Sequence, residues 1–213
     1  MGEQVSFTAN GQKGDGWFAK PASGKGSAVV VIQEWWGLVP HIKDVTERFA
    51  REGFAALAPD LYHGKTTTSP DEAGRLLMEL DTERAGTEIA GAGAWLLGRP
   101  ETSSKSFGVV GFCMGGALAQ YAATTDPKVG AAVSFYGGFK KTSLKWENLS
   151  GPILLIYGDK DGAANQTEAW GFYQKLTASP EKRYIIISDA THFFQYEFRR
   201  EVLFREAQLF LEG

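Results

Sequence analysis

The chain has 213 residues, 43% of them hydrophobic and 22% charged, which are globular values that exclude a disordered tail, a collagen-like chain and a coiled coil. Lys and Arg number 22 against 25 Asp and Glu, so the formal charge is -3 and no basic excess points to a nucleic-acid partner. One cysteine and three histidines exclude an intramolecular disulfide and make a Cys/His zinc site hard to assemble, so neither metal nor cofactor is expected.

The length fits one α/β domain over residues 1–213. At the front, Gln4 to Ala9 and Trp17 to Lys20 flank Asn10-Gly11, a dipeptide that favours a tight hairpin turn. Short apolar runs bounded by Gly, Pro or Asp then read as strands buried on both faces: Ala28 to Ile32, Phe54 to Ala58, Phe107 to Gly111, Ala131 to Phe135, Ile153 to Tyr157 and Tyr184 to Ser188. Helical periods lie between them. Ile42, Val45, Phe49 and Ala50 share a face, with Gly53 as the C-cap candidate. Ser69-Pro70-Asp71-Glu72 starts a helix with an N-cap, a proline at the first position and a glutamate at the third. Further helices run from about Glu83 to Leu97, Met114 to Thr124, Gln166 to Leu176 and Phe198 to Leu211. Gly138 to Leu149, with Lys140, Lys141 and Lys145, reads as a solvated loop. The order predicts an α/β domain with a mostly parallel open sheet, an N-terminal antiparallel hairpin and helices on both faces.

The polar N-terminus shows no targeting segment, and the apolar runs fall far short of the roughly 20 residues that span a bilayer. A cytoplasmic protein that does not contact membrane is expected, as a monomer or small homo-oligomer.

Gly111-Phe112-Cys113-Met114-Gly115 follows a strand and opens a helix, the nucleophile elbow with Cys in place of Ser. At the helix N-terminus the free N–H groups favour thiolate, and the Met114 amide can serve an oxyanion hole. No Gly-Lys-Ser/Thr follows, and Gly91-Ala92-Gly93 has no strand before it, so phosphate-loop and dinucleotide readings fail. In hydrolases of this topology the order along the chain is nucleophile, acid, base. His192 is the only histidine beyond Cys113 and is the base by elimination; His41 and His63 read as turn or rim residues. The acid follows the strand ILLIY, where Asp161 is preferred over Asp159 because its loop must project past the strand end; Asp189 reads as a turn residue.

These residues, with Gln33-Glu34-Trp35-Trp36-Gly37, Ala58-Pro59-Asp60-Leu61-Tyr62 and Ala190-Thr191-His192-Phe193-Phe194, resemble the dienelactone hydrolase (carboxymethylenebutenolidase) family over nearly the whole chain. The resemblance implies the α/β-hydrolase fold and a triad of Cys113, Asp161 and His192. It implies that Glu34 is a buried carboxylate that keeps the resting thiol neutral and takes its proton when substrate binds, and that the Trp35 and Met114 amides hold the oxyanion. Arg75 matches the place of an arginine that grips the substrate carboxylate, while Tyr196 stands where a second such arginine belongs. Trp36 and Phe193 would line the pocket beside the substrate. The expected activity is hydrolysis of a small ester or lactone through a Cys113 thioester. A broader carboxylesterase or thioesterase is the first alternative, and a non-catalytic or redox-sensing thiol protein the second.

Overall fold

Asn10 and Gly11 both take positive φ, 48° and 78°, the backbone that a two-residue hairpin of the I′ kind requires. They join β1 (Glu3–Ala9) to β2 (Gln12–Ala19), with Ala9 opposite Gln12. The second strand starts at Gln12 rather than Trp17, because its glycines hide it from propensity. Packing accounts for them: a Cβ at Gly14 would stand 2.5 Å from the Phe7 ring, and one at Gly16 would stand 2.6 Å from the Ala58 carbonyl oxygen.

The computed structural model describes residues 2–138, 144–149, 151–164, 166–192 and 200–212. After the hairpin come β3 (Gly26–Ile32), α1 (Pro40–Arg51), β4 (Ala55–Pro59), α2 (Pro70–Glu79), α3 (Thr82–Leu97), β5 (Thr102–Phe112) and α4 (Met114–Thr125). Then follow β6 (Val129–Phe135), β7 (Ile153–Gly158), α5 (Gln166–Lys175), β8 (Lys182–Ile187) and α6 (Arg200–Glu212). The strands form one sheet in the order β1-β2-β4-β3-β5-β6-β7-β8. Pairing is antiparallel from β1 through β2 to β4 and parallel from β4 to β8.

Two neighbours in β5 identify the flanking layers. A Cβ on Gly93 of α3 would collide with the Phe107 ring, and one on Gly108 would lie 2.8 Å from Leu211 of α6. Successive strand residues point to opposite faces, so α3 and α6 cover opposite sides of the sheet. Phe49 of α1 packs on Phe204 of α6 with ring centroids 5.2 Å apart, and α4 lies beside α3. The core fills both layers, and β4 and β7 are buried throughout. No helix among the described residues is long and apolar enough to cross a membrane.

Helix ends follow the local chemistry. Gly53, at φ 99°, ends α1: its amide donates to Ala50 O at 3.1 Å and the Phe54 amide to Phe49 O at 3.0 Å. This is the Schellman pair, and the Phe49 and Phe54 rings supply its apolar contact at 5.8 Å. The Ser69 hydroxyl accepts the Glu72 amide at the start of α2.

Two further segments differ from the sequence expectation. β5 begins at Thr102, not Phe107, because its polar first half pairs at a sheet irregularity where the Ala28 amide donates to Ser104 Oγ at 3.0 Å. In the segment after β6, Lys140 and Lys141 lie outside the described residues and Lys145 is exposed. A 3₁₀ turn at Trp146–Asn148, however, buries Trp146 against Phe172 at 5.6 Å, so that part is docked rather than solvated.

Gly74 sits inside α2 with open space where a Cβ would go. Gly74→Ala should therefore raise stability by about 0.5–1 kcal/mol. Gly53→Ala should lower it by about 1 kcal/mol through the positive φ. Urea unfolding midpoints check the opposite signs.

Candidate active site

Four of the residues singled out from the sequence lie where parallel strands end at their carboxyl termini, the edge at which open α/β sheets bind ligands. Glu34 follows β3, Cys113 follows β5, Asp161 follows β7 and His192 follows β8.

Cys113 has φ 55° and ψ -117°, a left-handed backbone that a side-chain-bearing residue rarely adopts. Its amide donates to Phe135 O at 3.0 Å, and its carbonyl accepts the Ala117 amide at 3.2 Å, so it caps α4 while paired with β6. The glycines around it leave room for this turn. A Cβ at Gly111 would overlap the Gly115 carbonyl, one at Gly115 would reach 2.5 Å from Gln33 O, and one at Gly116 would reach 2.6 Å from Phe135 O. The first turn of α4 therefore lies directly against the end of β3, beside Glu34 and Trp35.

The thiol does not take the thiolate form that the helix N-terminus favours. Burial first, and the Glu34 carboxylate second, push Cys113 up to about 12, with Asp161 adding to the rise. The Met114 amide, bonded to the sulfur, pulls the other way but is outweighed. Desolvation and two like charges overcome one backbone donor.

His192 Nδ1 lies 2.8 Å from Asp161 Oδ2 and 3.0 Å from Oδ1. Asp161 Oδ1 also accepts the Ala163 and Ala164 amides, each at 2.8 Å. Burial alone would push this carboxyl up, yet the histidine ring and the two amides win and hold it below the ordinary carboxylate range. With Nδ1–H committed to Asp161, a neutral ring keeps Nε2 as its proton acceptor. The other candidate acids lie elsewhere: Asp159 is exposed, and Asp189 is exposed and ion-paired to Lys160 at 2.6 Å.

Glu34 is fully buried, and the Tyr136 hydroxyl donates to its Oε1 at 3.3 Å. Tyr136 had no role in the sequence reading. Its φ is 41°, it is fully buried, and its ring meets that of His192 edge-on at 4.8 Å. It thus touches both candidate proton acceptors. A buried network holds the loop beside it: Gln120 Nε2 donates to Ser134 Oγ at 2.8 Å and to the Tyr157 hydroxyl at 3.2 Å, and that hydroxyl donates to Gly137 O at 2.8 Å. The available signal was a tyrosine set between a buried strand and Gly137-Gly138.

Trp35 and Trp36 are half-buried, with ring centroids 5.0 Å apart. Arg75 is exposed on α2 and ion-paired to Glu72 one turn earlier. Phe193 and Tyr196 lie outside the described residues. His63, at φ 52°, lies 2.9 Å from Glu88 Oε1 and 2.9 Å from Arg84 Nη2, in a separate cluster with α3.

The profile of the dienelactone hydrolase family matches residues 15–208. The chain belongs to the dienelactone hydrolase family. It is 39% identical to "Protein usf" of Aquifex pyrophilus over 95% of this chain and 90% of that one. It is 36% identical to a "Putative carboxymethylenebutenolidase" of Aquifex aeolicus with the same coverage. Among solved structures, a "Putative Dienelactone Hydrolase" from Klebsiella pneumoniae superposes with TM-score 0.87 at 24% identity, over 100% of this chain and 98% of that chain. The dienelactone hydrolase family members are hydrolases of the α/β-hydrolase fold, and the sheet described above is that fold.

The raised thiol has a thermodynamic signature. A group whose pKa is higher folded than unfolded contributes stability that is present below its unfolded value and lost as pH rises through the folded one. Between about pH 9 and 12 the wild type should therefore lose stability more steeply than Cys113→Ser, measured by urea unfolding across that range.

Proposed function

We propose that this dienelactone hydrolase family member hydrolyses small carboxylic esters or lactones through a thioester on Cys113. The reading rests on one observation above the others: the chain's sole cysteine is held in a left-handed turn between β5 and α4, close enough to Glu34 and Asp161 to feel both charges.

At rest the thiol is neutral. Glu34 accepts its proton, and the sulfur attacks the substrate carbonyl. The amides of Trp35 and Met114 hold the oxygen that becomes negative. The leaving oxygen departs as the alcohol with the proton that Glu34 received. His192, oriented by Asp161, then takes a proton from water, the hydroxide attacks the thioester, and the same proton returns to the sulfur. Trp36, packed against Trp35, is the aromatic surface against which a flat substrate rests.

Cys113→Ala should reduce hydrolysis of aryl acetates and of cis-dienelactone by about 10³-fold or more. Mass spectrometry of wild type quenched during turnover should find the acyl group on Cys113. Full activity in Cys113→Ala overturns the nucleophile assignment.

The broader carboxylesterase reading is favoured by Arg75, whose guanidinium is exposed and already held by Glu72 rather than unpaired for a substrate carboxylate. Under this reading Arg75→Ala leaves kcat/KM for neutral aryl esters and anionic lactones unchanged. A loss confined to the anionic lactones assigns Arg75 the clamp role instead. The redox-sensor reading has less behind it, because a sulfur kept protonated is a slow target for oxidants.

A further inference from the structure

Tyr62 is almost fully buried in the turn after β4, at 5% exposure. The turn is fixed from two sides. Asp60 accepts the Tyr62 amide at 3.2 Å through one carboxylate oxygen and the Gly64 amide at 2.6 Å through the other. The Leu61 amide donates to Gln33 Oε1 at 3.3 Å. Gln33 immediately precedes Glu34, so the chain end that carries the proton acceptor is tied to the one that carries Tyr62.

The Tyr62 hydroxyl lies 3.2 Å from the thioether sulfur of Met114. A thioether is a weak acceptor, whereas a buried phenol ordinarily finds a strong one. Met114 is also the residue next to Cys113, and its own amide bonds the nucleophilic sulfur. The hydroxyl is therefore held by the residue next to the reacting cysteine, within reach of its charge, with most of its hydrogen-bonding strength unspent. Burial, and after it negative charge on Cys113, push the phenol above its ordinary range. It is thus held in its protonated, donating form, and it responds to negative charge on Cys113.

We propose that Tyr62 is a hydrogen-bond donor to the Cys113 thiolate, resting on the Met114 thioether until the thiol loses its proton and then turning to the sulfur. The proton stays on the phenol oxygen throughout, and no bond other than the hydrogen bond is made or broken. The interaction is stronger with the anion than with the neutral thiol, so it lowers the cost of the step in which Glu34 takes the proton. The inference rests on Cys113 as the nucleophile.

Tyr62→Phe removes the hydroxyl and keeps the ring. The test is the rate of Cys113 alkylation by iodoacetamide from pH 7 to 11, which reads thiolate directly and needs no substrate. A hydrogen bond to a charged group corresponds to about a 10- to 100-fold lower alkylation rate in Tyr62→Phe at each pH. kcat for aryl esters should fall in parallel, with KM within about 2-fold of wild type. Incorporating 3-fluorotyrosine at position 62, a more acidic donor of nearly the same shape, should move the alkylation rate in the opposite direction. An alkylation profile unmoved by both changes overturns the proposal, and so does a Tyr62→Phe loss that 3-fluorotyrosine reproduces, which marks a packing role. Failure of the thioester mechanism shows separately, as activity retained in Cys113→Ala.

Discussion

Gly115 carries no side chain because the carbonyl oxygens of Ile32 and Gln33 stand where its Cβ would be. That contact sets the distance between the first turn of α4 and the end of β3, and the rest of the site is built upon it. It brings the amide of Met114 and the segment Glu34-Trp35 to one place, two donors and one acid from strands far apart in sequence. Gly111 and Gly116 remove the other obstacles, so that the chain can turn from β5 into α4 with Cys113 at the vertex. A single methyl at any of these positions would drive the helix off the sheet, and backbone atoms rather than flexible side chains would have to yield.

The electrostatics of the site follow from this closeness. A helix N-terminus is a favourable place for an anion, but a buried sulfur beside two carboxylates is not. The second effect is larger, and the Cys113 thiol is kept protonated. The same rim treats the Asp161 carboxyl differently. Asp161 is buried too, yet it has two backbone amides and an imidazole to hold its charge, so it remains ionised. Tyr136, bonded to Glu34, and Tyr62, resting on the Met114 thioether, add buried phenols to the site, groups that donate hydrogen bonds without adding charge.

Much of this was legible in the residues alone. Asn10-Gly11, Gly53 and Ser69-Pro70 declare their turns and caps because each rests on a local backbone requirement. The elbow did so as well, since a strand, a G-x-C-x-G and a helix in succession leave few alternatives. What stayed hidden depends on residues distant in sequence. The first half of β5 is polar and becomes a strand only because β3 is there to pair with it. The glycines of β2 resemble a loop until Phe7 and Ala58 are placed against them. Trp146 shows no periodicity and finds its partner on α5. In the site, Tyr136 carries little sequence signal of its own and Tyr62 stands out only as the end of a matching stretch, because the importance of both lies in what their hydroxyls reach. The protonation of Cys113 also ran against the local expectation, since burial is a property of the whole fold.

Asn10, His63, Cys113, Tyr136 and Asp189 are the non-glycine residues with positive φ among those described. All except Asn10 follow β4, β5, β6 or β8, on the rim that carries the candidate site. Strain of this kind costs roughly 1–3 kcal/mol at each residue that does not tolerate it easily, and asparagine and aspartate tolerate it best. The sheet therefore subsidises its rim: well-packed strands hold open a set of backbone conformations that the same residues would abandon if released. Variants selected for heat resistance alone would relax this edge first, and reactivity would be lost before the fold was.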